Sequence, residues 1–188
     1  MTGRRVSVIL GAIVAGLLTA PPAMAKSGDI EDAISAGLTA CRAWVTNPDG
    51  WSEDIAGFPG TIGLADQMQQ RETVPGFAQP SGDLQQGAIY WHIDAGRSDL
   101  YLAVSVSQPT CRLAGGGAED WQPAVEAVLA SRDFRAAWTE NVDNANAGMR
   151  FSQYSSKAEE GFSLIVTRAD AAGVPVKDAQ FLATARLR

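Results

Sequence analysis

The chain contains a single histidine, His92, inside the run AIYWHID at residues 88–94, and a carboxylate follows two residues later at Asp94. Imidazole titrates near neutral pH, and a carboxylate that orients it is how a Ser/His/Asp general base is built. Ser105 or Ser107, in the run after it, could supply the nucleophile. Such triads need a sharp turn presenting the serine and backbone donors for the oxyanion, and the GxSxG elbow is absent. A histidine packed on aromatics at a half-exposed sheet face accounts for the same residues. Tyr90, His92, Asp94 and Tyr101 are therefore expected to form a ligand-binding surface, with stacking area and polar tips, rather than a catalytic centre.

Other chemistries find less support. One histidine and two cysteines cannot assemble the usual zinc ligand sets, and no CxxC pair occurs. Asp143, Asn144 and Asn146 resemble part of a calcium loop, but Ala145 stands where an oxygen is needed and no closing glutamate follows. The glycines of Ala114-Gly115-Gly116-Gly117 lack the GK[ST] ending of a phosphate loop, and Glu119 and Asp120 would repel a phosphate. That stretch reads as a flexible loop. The pairs Glu53-Asp54 and Glu159-Glu160 read as solvated acids, since adjacency along a chain says nothing of separation across a sugar. No cofactor is expected.

Hydrophobic period places these residues on elements. Ile89, Trp91 and Ile93 alternate with Tyr90, His92 and Asp94, and Leu100, Leu102, Val104 and Val106 alternate with Tyr101, Ala103 and Ser105. Joined at Ala95-Gly96-Arg97-Ser98, the two runs form an antiparallel hairpin with Ile93 opposite Leu100, Trp91 opposite Leu102 and Ile89 opposite Val104. A slip of one residue would turn every apolar side chain to the wrong face. Upstream, Ile30, Ile34, Leu38, Cys41 and Val45 share one face of a helix over 29–45. Cys111 follows the second run. An even cysteine count in an exported chain favours a Cys41–Cys111 disulfide, closing a loop of seventy residues and worth about 4 kcal/mol in the chain-entropy model.

Residues 47–87 are rich in turn signals, NPDG, GFPG, VPG and QPSGD, with TIGLADQMQQ as a brief strand or helical turn. Trp44, Trp51 and Phe58 run into this segment, either lining a groove or plugging the core beneath it. A second helix starts near Pro123, carries Val125, Val128 and Leu129 inward, and reaches Phe134 and Trp138 after a break at Ser131. The loop NVDNANAG then leads to strands at MRFSQYS, GFSLIVTR and AQFLATARLR. This order predicts a single-domain α+β fold, with a largely antiparallel sheet of about five strands packed by two helices and one disulfide.

The first twenty-five residues read as a cleaved signal peptide: Arg4 and Arg5, the apolar run from Val6 to Leu18, then Ala23-Met24-Ala25. Removing them from 188 residues leaves 163, one domain at 26–188, and with the two arginines gone the formal charge moves from −6 to −8. A chain this acidic repels nucleic acid and anionic lipid surfaces, and after cleavage no stable membrane insertion is expected. The expected location is the periplasm or the exterior. The expected role is that of a small non-catalytic binding or accessory protein of the cell envelope, with a protein, peptide or glycan partner. Two alternatives stand beside it: a periplasmic hydrolase using His92 and Asp94 with a serine, and a structural subunit of an envelope complex.

Overall fold

The computed structural model describes residues 27–173 and 179–188. The signal peptide expected at 1–25 lies outside the described residues. The element order is α1 (Ser27–Thr46), α2 (Pro48–Trp51), α3 (Phe58–Thr61), β1 (Met68–Arg71), two 3₁₀ turns (Gly76–Ala78 and Gly82–Gln85), β2 (Ile89–Ala95), β3 (Ser98–Val104), β4 (Thr110–Gly117), α4 (Gln122–Ala130), α5 (Arg132–Ala137), β5 (Trp138–Asn146), β6 (Met149–Ser156), β7 (Ser163–Ala169) and β8 (Phe181–Arg186). Every strand pairing is antiparallel, in one sheet of eight strands ordered β1-β2-β3-β4-β8-β7-β6-β5.

The α+β class, the antiparallel sheet and the disulfide agree with the sequence reading; the strand number does not. β4 and β5 are not among the expected five, and β1 overlaps the end of TIGLADQMQQ, which the sequence leaves open as a brief strand or helical turn. β1 is four residues long and mostly polar, so it carries no alternation to detect. β4 includes the triple glycine, which is strand and not a loop. The packing explains why: a Cβ at Gly115 would lie 2.4 Å from the Trp121 ring, so only a bare backbone lets that indole, fully buried, lie against the strand. β5 takes up most of NVDNANAG. All but its first residue are exposed, so its polar sequence is that of an edge strand rather than a loop. The chain reverses at Ala147 and Gly148, both at positive φ (51° and 80°), between the paired Asn146 and Met149. That is the two-residue hairpin geometry in which both central residues are left-handed.

The hairpin β2–β3 has the expected register, Ile93 with Leu100, Trp91 with Leu102 and Ile89 with Val104. Its apolar side meets α1, whose buried stripe is Ile30, Ala33, Ile34, Ala40, Cys41, Trp44 and Val45. Gly37 lies in that stripe too, where a Cβ would come within 2.9 Å of Leu100 and Leu113, so the helix sits close to the sheet. Leu38 falls on the flank of this stripe, at a hollow beside Val128 and Phe134. The Cys41–Cys111 disulfide, with Cα atoms 5.4 Å apart, ties α1 to β4, inside the sheet rather than at the point where the chain leaves it. Trp44 and Phe58 are fully buried and pack edge-on at 5.1 Å, with Trp51 against Phe58 at 4.9 Å. They plug the core. α4 and α5 are separate helices because Ser131 leaves the helical path and caps the second, its Oγ accepting from the Phe134 N–H at 3.1 Å.

Candidate functional site

Helices cover one face of the sheet only. The other face is read by following register across the strands. One row runs Gln69, His92, Tyr101, Ala114, Leu182, Thr167, Phe151, Asn144; the next runs Arg71, Tyr90, Ala103, Arg112, Thr184, Ile165, Gln153, Val142. Over the first half of these rows lies the segment around Val74, Phe77 and Ala78, packed on Tyr90, Tyr101, Ala114 and Leu182. The far half is bare. Phe151 is 39% exposed and Val142 37%.

Tyr90, His92 and Tyr101 do share this face, as alternation requires. His92 lies opposite Tyr101, ring centroids 5.2 Å apart, and Phe77 meets the same tyrosine edge-on at 5.9 Å. Burial and the nearby Asp99 carboxylate push the Tyr101 phenol upward, so it stays protonated at neutral pH. The carboxylate that His92 engages is Asp99 of β3, Nε2 to Oδ1 at 2.7 Å, and not Asp94. Asp94 lies directly opposite Asp99 and accepts instead from the Gly96 N–H of the turn at 2.9 Å. Each acid of this facing pair thus has its own donor, which offsets their repulsion. Ser105 and Ser107 hydrogen-bond each other at 2.8 Å just beyond β3, and Ser105 lies four residues along the chain from Tyr101, the residue opposite His92. At about 3.3 Å per residue that distance is far beyond a hydrogen bond. The structure brings together a His–Asp pair and two tyrosines, but not the serines.

Chain alternation did not reveal a second polar cluster, on the helix face. Arg168 of β7 is 4% exposed and donates from Nε to Glu126 of α4 at 2.6 Å and from Nη1 to Ser152 at 2.9 Å. Ser152 donates to Asp143 at 2.7 Å, Arg150 bridges Asp143 and Asp170, and the Tyr154 hydroxyl donates to Glu140 at 3.1 Å. Ser152 first, then Arg150, holds the Asp143 carboxyl below its ordinary range, while burial pushes the Tyr154 phenol up. Beside this network opens a hollow of about 260 Å³, lined also by Phe134 and Trp138. The available signal was Arg168 continuing the apolar face Phe162, Leu164, Val166: a charge at a core position needs a buried partner.

Among the described residues no group of three or more His, Cys, Asp or Glu is placed to hold a metal ion, and no helix is long and apolar enough to cross a membrane. No family model, curated protein or solved structure matches the chain.

Proposed function

We propose that this is an exported binding or accessory protein of the cell envelope, non-catalytic, that engages its ligand or partner through the sheet face opposite the helices. The observation that carries this reading is the uneven cover of that face. One half is roofed by the chain's own segment around Phe77, and the other leaves Phe151 and Val142 in solvent beside half-buried Ile165. An apolar stripe rimmed by polar groups on an acidic, soluble chain is the mark of an interaction site. Tyr90, His92 and Tyr101 lie on β2 and β3 at the other end of the same face, where the Phe77 segment packs on the two tyrosines.

The test compares the protein with a variant carrying Val142→Asp and Phe151→Asp, both used to capture ligands from an envelope extract. Wild type should retain a component that the variant loses while its circular dichroism is unchanged. Equal capture by the two would overturn the site. The hydrolase reading is tested separately with His92→Ala: a hydrolytic turnover that disappears in that variant, with folding intact, would replace the non-catalytic reading.

A further inference from the structure

Two arginines stand side by side where the roofed half of this face meets the bare half, and neither has an acid partner among the described residues. Arg112 of β4 lies opposite Thr184 of β8, and Arg186 is two residues beyond that threonine on the same face. Diagonal neighbours of this kind are about 7–8 Å apart, close enough for one small anion to bridge them. Their orientation is fixed by their neighbours: Cys111 and Ala185 are buried against the helices, so Arg112 and Arg186 point the other way. The Nε atoms of both are buried without a hydrogen-bond partner, although neither residue is fully buried. Loss of water lowers the pKa of the Arg112 guanidinium.

Hydroxyls flank the pair along the sheet, and Glu160, which shares a hollow with Ser163, stands at its edge. Thr184 separates the two arginines, Thr110 and Ser163 flank Arg186 on the neighbouring strands, and the row from Tyr90 to Val142 contains no Asp or Glu. A desolvated N–H without an acceptor destabilises the fold, and two like charges on adjacent strands add repulsion. An oxyanion relieves both. In a chain of net charge −6, this is a local inversion of sign.

Ile165 lies in the same row two strands from Arg112, about 10 Å away, and Val142 ends that row about 19 Å away, with Phe151 in the row beside it. We infer that Arg112 and Arg186 hold the head of a soluble amphipathic oxyanion, a carboxylate or phosphate on a single apolar chain, whose tail lies along Ile165, Phe151 and Val142. A monomeric amphiphile is favoured over a membrane surface because the acidic chain is repelled by anionic lipid. This inference rests on the binding reading above and names its ligand class.

The probe is laurate below its micellar concentration, titrated into the purified protein by calorimetry, with acetate and inorganic phosphate as tail-free heads and phosphatidylglycerol vesicles as the membrane arm. Laurate should bind saturably and at least tenfold more tightly than acetate or phosphate. Arg112→Gln with Arg186→Gln should lower laurate affinity at least tenfold while leaving the unfolding midpoint unchanged or raised, since the repulsion is removed. Arg112→Lys with Arg186→Lys keeps the charge and loses the planar fork, so it should also weaken laurate, and it decides the matter if the glutamine variant fails to fold. Laurate affinity indifferent to both variants, or vesicles binding where laurate does not, would overturn the inference. A protein that keeps its envelope capture but ignores laurate would overturn this ligand class alone, leaving the binding face in place.

Discussion

The Arg168–Glu126 pair is asymmetric: the arginine side chain is 4% exposed and the carboxylate 41%. Removing the acid strands a buried cation, whereas removing the arginine leaves an acid that water can reach. Glu126→Ala should therefore cost about 2–4 kcal/mol and Arg168→Met about 0–2 kcal/mol, measured by urea unfolding; the reverse order would show the pair is not what neutralises Arg168. A pH effect belongs to the same scale. Asp143, through Ser152 and then Arg150, and Glu159, through Ser156 and then Arg42, are held below their ordinary values. A carboxylate depressed in the folded state adds stability that is fully present above its unfolded pKa and fades as pH falls through the folded one. The urea midpoint should be flat from neutral down to about pH 5 and drop steadily below about pH 4, with Asp143→Asn reducing the drop. A midpoint that rises on acidification would contradict both assignments.

Two contacts set how the elements fit. Gly115 gives up its Cβ to the Trp121 ring, and Gly115→Ala should cost about 1–3 kcal/mol through overpacking, seen as a lowered thermal midpoint with shifted tryptophan emission. The Cys41–Cys111 bridge joins α1 to β4 across a separation of 70 residues. Replacing both cysteines by alanine should remove about 2–5 kcal/mol, and thiol titration of the denatured, unreduced protein should find no free thiol. Strong periodicity made these elements legible where it existed. The α1 stripe, the β2–β3 register and the break at Ser131 were all visible because one buried face repeats along the chain. β1 and β5 were not, because an edge strand shields little and its polar sequence matches that of a loop. The triple glycine misled for a different reason: at Gly115 glycine is selected by the Trp121 ring, which the chain folds back onto the strand, and at Gly117 by a positive φ against Ser98, neither of which shows in the run itself.

At the scale of the molecule, helices on one face leave the far half of the other to solvent. Val142→Asp and Phe151→Asp, at exposed positions, should each change unfolding free energy by less than about 0.5 kcal/mol. A larger loss would show that these side chains support the fold and not a ligand. His92 illustrates how the candidate site divides between chain and fold. Its face, with Tyr90 and Tyr101, follows from alternation along two strands, because period 2 is a property of the extended backbone itself. Its partner does not. Asp94 is its neighbour along the chain, yet Asp99 from the adjacent strand takes the hydrogen bond while Asp94 serves the turn. The sequence by itself determined the buried stripes, the hairpin register and the cysteine pairing, because apolar burial and parity are encoded locally. Only the tertiary structure decided which strands join the edges, which face stays open, and that Arg112 and Arg186 stand on adjacent strands, because β4 and β8 lie far apart along the chain and meet only at the centre of the sheet.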